Sequence, residues 1–494
     1  MNLSLDQDQN FLNKKMIFKN IPFLAYFTFL LFYTSVATWA QHHELSDQPV
    51  MWKGKPQDVL DSTSLLYAFK TGTTAGHFRY FFSQTTNEGE LSDYYANAIG
   101  GGLRFETNSY HHFQFAVSGF YFFNIGSSVM HHPDPITGTL SRYEMGLFDI
   151  ENPDNHRDMD RLEELYLKYN IKNGHIIIGR QLINTPLINI QDGRMRGTGV
   201  EGLWLDQQFA KKWRFQGGIL TAISPRSTTK WYKGAESIGL YSQGVNPDGT
   251  PSNFRGNIEL PYIGVASITW KPSKAFAYQA WDYHLPGLFN STFQQVMLET
   301  SFKKMKWQNG AQLVRQWALA NGGNENQSMA YIAEGSKALT FGFRSELAFP
   351  NWHYSVNYNR ITAEGRYLFP REWGRDPFFT FMPRERNEGF GDVHAFVLKI
   401  ENQNSASIWR KSGFSIGYFQ LPDVKNFALN KYGIPSYMQA NLDIRMKLDS
   451  LMQGLEGQLL LVCKYGVGDT YNNPKFEINK VNMLLTNLVL NYHF

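Results

Sequence analysis

Residues 179–206 read GRQLINTPLINIQDGRMRGTGVEGLWLD. The stretch begins at the end of one short apolar run, Ile176 to Ile178, and ends inside another that holds Leu203 and Leu205. Between the two runs lie Pro186, Gly193, Gly197 and Gly199, with Arg194 and Arg196 among them. Such a segment is too irregular for a strand and too poor in helical periodicity for a helix. Its place between two strand-like runs predicts a connection that folds into the bore of a membrane β-barrel and narrows it.

The rest of the chain bears on that expectation. Lys14, Lys15 and Lys19 precede an apolar run from Ile21 to Val36, followed by Ala37-Thr38-Trp39-Ala40-Gln41. A basic n-region, a short apolar h-region and a small residue before the cut describe a secretory signal peptide over residues 1–40. A retained membrane anchor is the other reading, and Met16 offers a second start. Beyond Val36 there is no run of about 18 apolar residues, so no transmembrane helix is expected. Aromatic residues nevertheless make up 15% of the chain and Gly is abundant at 42, which without helical patterning points to all-β structure. The single Cys463 excludes an internal disulfide framework. A formal net charge of +4 is too small to indicate nucleic acid.

The last strand shows the pattern most clearly. In KVNMLLTNLVLNYHF, Leu484, Leu488, Leu490, Tyr492 and Phe494 share one face, and Asn487, Asn491 and His493 share the other. Period-2 alternation sends the first face to lipid and the second to a polar lumen. The same alternation recurs at Leu165–Ile171, Leu339–Phe349 and Leu442–Leu448. Roughly eighteen such segments run from 73–84 to 480–494, an even number, as single-chain bacterial barrels require. Their connections tend to alternate. Short ones fall at 107–111, 172–174, 208–211, 271–274, 303–305, 350–351 and 450–453; long ones fall at 124–161, 183–199, 223–257, 319–337, 362–391, 421–438 and beyond 467. The gap at 402–410 is intermediate. With both termini in the periplasm, the short connections are periplasmic turns and the long ones extracellular loops. The expected fold is all-β, a transmembrane antiparallel β-barrel over 73–494, preceded by a periplasmic segment at 41–72.

If the apolar face meets lipid, the other face lists the charges of the bore. Basic candidates are Arg79, Arg104, Lys168, Arg214, Arg344, Lys399, Arg445, Lys447 and Lys464. Acidic candidates are Glu106, Glu164, Glu346, Glu401 and Asp443. A Lys or Arg on the lipid side at mid-membrane costs about 2–4 kcal/mol, so these residues face in. They either pair with the neighbouring acids or set a mild preference for anions. A second charged tract, PREWGRDPFFTFMPRERNEGFGD, carries Arg371, Arg375, Arg384 and Arg386 interleaved with acids and aromatics. Arg favours planar bidentate contact with carboxylates, either of a solute or of the loop itself. The density of Phe and Trp predicts a loop that packs down as a folded lid.

The stretch at 179–206 resembles the signature region of the outer membrane porin D (OprD) family in Gly179, Pro186, Asp192, Arg194 and Gly202. The resemblance implies an eighteen-stranded channel that passes small, often carboxylate-bearing solutes along a ladder of basic lumen residues past a constriction loop. It implies no cofactor. This chain departs from the pattern at Gly197, where a Pro is expected, and at Glu201, where a basic residue is common. A member's substrate therefore does not transfer.

The leading expectation is a passive porin of the bacterial outer membrane, not an enzyme, for small hydrophilic solutes with carboxylate or zwitterionic character. Pro186 and the glycines shape the constriction loop, Asp192 holds it to the wall, and Arg194 or Arg196 faces the solute. The expected partners are such solutes, outer-membrane lipid and lipopolysaccharide; the chain is a monomer or a trimer. An oligosaccharide porin is the alternative, since aromatic tracks carry sugar rings. A barrel enzyme is disfavoured: there is no Gly-x-Ser-x-Gly elbow and no His-Glu-x-x-His motif. The adjacent pairs His42-His43, His111-His112 and His131-His132 point to opposite faces of a strand and chelate metals poorly.

Overall fold

The computed structural model describes residues 64–191, 194–403 and 408–494. The signal peptide expected over 1–40, most of the segment 41–72, His42-His43 and Asp192 lie outside the described residues.

A short helix α1 (Leu65–Lys70) leads into β1 (Thr73–Asn87), β2 (Tyr94–Glu106), β3 (Phe113–Ser127), β4 (Met159–Ile171), β5 (Gly174–Gln181) and β6 (Gly199–Phe209). β7 (Trp213–Ser224), β8 (Tyr232–Lys233), β9 (Ile263–Ser273), β10 (Phe276–Leu285), β11 (Phe289–Phe302), β12 (Met305–Ala318) and β13 (Lys337–Ala348) follow. The chain ends with β14 (Trp352–Ile361), β15 (Val393–Gln403), β16 (Lys411–Gln420), β17 (Tyr437–Lys447), β18 (Leu455–Gly466) and β19 (Met483–His493). Each strand pairs antiparallel with its sequence neighbours, and β1 pairs with β19 to close the ring. The two-residue β8 adds to β7 above the β7–β9 pairing, so eighteen strands form the barrel. β9 starts later than the sequence pattern predicts because Ile258 and Leu260 turn into the interior and pack there.

The outward face is apolar and open to lipid, as at Phe78, Leu103, Leu167, Phe343 and Leu484. Trp213, Trp270, Trp307 and Phe494 form part of an aromatic girdle at the periplasmic end, where Trp213 and Trp270 stack at 5.3 Å. The tight turns explain one of the histidine pairs. His111 and His112 have φ of 46° and 70° and are the two central residues of a hairpin closed by reciprocal Tyr110–Phe113 bonds of 2.8 Å. Both central residues of such a turn need positive φ, which His tolerates better than most side chains.

The interior is not uniformly polar. Leu485, Val489, Val462, Phe293 and Val314 point inward and are buried, because extracellular connections fold down and pack against them. The hydrophobic core therefore lies inside the barrel, towards the extracellular side. At the seam, the Phe494 ring covers Gly76: a Cβ there would sit 2.0 Å from the ring. Gly76→Leu should displace Phe494 and weaken closure by roughly 1–3 kcal/mol, as overpacking does. Heat-modifiable gel migration checks this, with the folded band expected to disappear at a lower temperature.

Candidate functional site

Two connections meet inside the bore. One is residues 182–198, between β5 and β6. The other is residues 362–392, between β14 and β15. The first is shaped by Thr185, whose backbone N–H and hydroxyl both donate to the Ile188 carbonyl, at 2.9 and 2.8 Å. Pro186 is buried in this turn, and Tyr283 of β10 ties it to the wall by donating its hydroxyl to Thr185 Oγ1 at 3.0 Å. Ile183, Leu187 and Ile188 then pack with Trp204, Leu220 and Trp373.

The second connection runs across the bore and is held by inward side chains of the far wall. On β12, Gln316 accepts from Leu368 N–H at 3.0 Å. Gln312 donates to the Pro377 carbonyl at 2.8 Å and accepts from Phe379 N–H. On β15, Lys399 donates to the Phe379 and Phe381 carbonyls, both at 2.9 Å. Gln439 and Asn441 of β17 donate to the Pro383 carbonyl, and Lys464 of β18 donates to that of Arg384 at 2.8 Å. Arg384 in turn donates to Asn487 of β19. Backbone polar groups shut away from water need such partners.

Asn189 clasps the two connections together. Its N–H donates to the Trp373 carbonyl at 3.0 Å, its amide to those of Pro186 and Arg375, and its Oδ1 accepts from Arg375 N–H. Gly374 lies against it, so closely that a Cβ would come within 2.8 Å of the Asn189 side chain. Nothing in the linear pattern marks Asn189, because all but one of these partners are supplied by a connection almost two hundred residues away.

The expected lumen charges fall into three groups. Near the periplasmic side, Arg104 binds Glu106 and Glu164 at 2.9 and 3.0 Å, and Lys168 binds Glu106 at 3.3 Å. Arg214 pairs with Asp206, Arg445 with Asp443 and Lys447 with Asp449, the basic partner being exposed in each. In mid-wall, Arg344 is buried on Glu346, which also meets His353 at 2.8 Å, and Lys399 is occupied by the loop carbonyls above. Arg79 donates to Asn491 at 2.7 Å and to the Arg194 carbonyl at 2.5 Å, so it braces the first connection.

Arg196 requires a correction. A β-bulge at Ser118/Gly119 turns both Glu163 and Glu164 inward, and Glu163 binds Arg161 and Arg196 in a group with almost no solvent exposure. Arg196 also lies over the Phe120 ring, 3.8 Å from its centre. It locks the first connection to β4 and does not face a solute. Glu163 was missed from the sequence because strict alternation sends it to lipid; only a bulge brings it in. Arg180, by contrast, faces outward opposite Leu165 and pairs with Glu201 at 2.8 Å.

Half-buried arginines stand on the two connections, Arg194, Arg371, Arg375 and Arg386, and Arg142 of the β3–β4 connection is half-buried as well. Arg371 lies over Tyr432 with Glu388 at 3.5 Å, Arg375 lies over Phe381, and Arg386 donates to the Gly374 carbonyl at 3.0 Å. Two of their acidic neighbours are shifted towards the neutral form. Burial, reinforced by the Asp376 carboxylate, pushes Glu385 up to about 8. Burial also raises Glu388, against the pull of Lys431 and Arg371. Among the described residues no cluster of His, Cys, Asp and Glu is arranged to hold a metal. Asn189→Ala should release the two connections from each other at a cost of ~1–3 kcal/mol, the range for buried polar groups left unpaired. Planar-bilayer recordings should then show enlarged, flickering currents from a barrel of unchanged heat-modifiable migration.

No family model matches the chain, and no curated protein sequence matches it. Solved structures do. Acinetobacter baumannii OccAB4 aligns with a TM-score of 0.66 at 13% identity, over 86% of this chain and 98% of that one. Pseudomonas aeruginosa OpdK with vanillate aligns at 0.65 and 11% identity, over 86% and 99%. Pseudomonas aeruginosa OccK3 (OpdO) aligns at 0.61 and 14%, over 87% and 97%. These are OprD-family porins, and the chain shares their fold, a closed eighteen-stranded antiparallel β-barrel.

Proposed function

We propose that this chain is a selective outer-membrane diffusion channel for small hydrophilic solutes that carry a carboxylate. The observation that carries the reading is the group of half-buried arginines at the meeting of the two infolded connections. A charge set in a narrow, low-dielectric passage acts more strongly on a passing ion than the same charge in open water. Arg194, Arg375 and Arg386 present the positive field, Arg371 and Arg142 extend it, and burial holds the neighbouring Glu385 towards its neutral form. Arg guanidinium matches the planar carboxylate in a bidentate contact. The vanillate in the OpdK structure is an aromatic carboxylate and makes a convenient probe for this chain.

The oligosaccharide alternative needs aromatic rings laid open along a track. The large aromatics of the interior are instead consumed in packing: Trp373, Tyr367, Phe378 and Phe390 are all essentially buried. The carboxylate reading is therefore the one the geometry favours. Passage is passive, and the solutes, the surrounding lipid and a monomeric or trimeric state are its associations.

The combined Arg194→Gln, Arg375→Gln and Arg386→Gln variant should lower anion-over-cation preference in reversal-potential measurements across a salt gradient. Unchanged selectivity would remove these residues from the account. The pH response has a definite sign. Glu385 ionises as pH rises through about 8, adding negative charge to the cluster, so anion preference should fall over that interval. Glu385→Gln should reduce this dependence in the same recordings, leaving the part due to Lys431, which burial lowers to about 8.

A further inference from the structure

The helix α1 lies on the outside of the barrel. Its Phe69 ring stacks on Phe105 and Phe115, with ring centres 6.2 and 6.5 Å apart. Both partners belong to the lipid-facing surface. Phe105 shares a face of β2 with Leu103, which is 58% exposed, and Phe115 pairs directly with the outward Leu167 of β4. Ala68 is buried against the wall, and its carbonyl accepts from Asn108 N–H in the β2–β3 turn at 2.9 Å. The helix is thereby fixed beside the periplasmic rim, next to the short turns.

Its remaining surface is apolar and uncovered. Leu65, Leu66 and Phe69 are 55%, 64% and 45% exposed. A helix of six residues has little stability of its own in water. Three neighbouring large apolar side chains on it would lose further by facing solvent. Lys70 stands exposed in the last turn, where its stem can run along apolar surface while its ammonium reaches the headgroup level.

We propose that α1 is an interfacial helix seated in the periplasmic leaflet, with lipid acyl chains covering Leu65, Leu66 and Phe69. The occupant follows from continuity. Phe69 prolongs the same outward surface, through Phe105 and Phe115, that the strands present to the bilayer. The chain consequently enters the barrel wall from the lipid side, and α1 stays clear of the periplasmic mouth. This role is independent of what the channel passes.

Spin labelling tests it in the full chain. A Cys463→Ala background carries a single nitroxide at Leu66→Cys or, as a second site, at Leu65→Cys; both side chains are exposed enough to be replaced without loss of fold. Reference labels are placed at Leu103→Cys on the lipid face and Lys211→Cys in a periplasmic turn. The protein is reconstituted in vesicles of phosphatidylethanolamine and phosphatidylglycerol. Collision with lipid-soluble oxygen is compared with collision with a water-soluble nickel chelate. The expected ratio at residues 65 and 66 matches Leu103 and exceeds Lys211 several-fold. A ratio equal to that at Lys211 would place the helix in water and overturn the proposal. Labels shielded from both relaxants would overturn it equally, since a second copy or a periplasmic protein would then be the occupant.

Discussion

The structure depends on donation from inward wall side chains to the backbone of residues 366–391. A non-helical segment lying at membrane depth is stable only where its carbonyls and amides find partners inside the protein. Here Gln312, Gln316, Lys399, Gln439, Asn441 and Lys464 supply them from four separate strands. The same requirement accounts for the lumen composition. Long amide and ammonium side chains stand where the connection crosses, while Leu, Val and Phe stand where its apolar side chains land. What looks in a strand list like a ladder for solute is, at Lys399 and Lys464, scaffolding for the segment that narrows the path.

Charge burial follows a similar logic around the first connection. Arg161, Glu163 and Arg196 have lost their water and depend on one another and on nearby carbonyls such as Gly197, which accepts from Arg161 at 2.5 Å. Removing one member of such a group strands the others, and the cost exceeds what the contact itself contributes. The group thus fixes where the connection rejoins the wall at β6. That fixed end, with the Asn189 clasp before it in the chain, determines where Arg194 and the arginines of the second connection come to stand.

The strands were legible because lipid enforces a strict rule. Alternation over Lys480–Phe494 or Leu339–Phe349 admits only one inward face, and the seam between β19 and β1 respects it through Phe494, Asn491 and His493. The alternation of short and long connections was legible for the same reason, since turns and loops lie on opposite sides of a membrane. What escaped was whatever depends on a break in the rule or on a distant partner. Glu163 is inward only through a bulge. Arg196 looked like a solute contact because its counter-ion was invisible. Val489 and Leu485 lie on the inward face because Met145, Met195 and Tyr143, all distant in the chain, pack against that side of the wall. The tract at 369–392 advertised its packing through its aromatics, yet nothing in it named the wall residues it would meet.

The central claim is that residues 366–391 are packed across the bore and not free in the extracellular medium. Hydrogen–deuterium exchange on the full chain in lipid nanodiscs addresses it directly. Tyr367, Arg375, Phe379, Glu385, Asn387 and Gly389 all have bonded amides within the barrel interior. Peptides covering them should exchange as slowly as the neighbouring strands β14 and β15. Exchange at the rate of an unstructured loop would contradict the packing, and with it the arrangement of arginines on which the proposed selectivity rests.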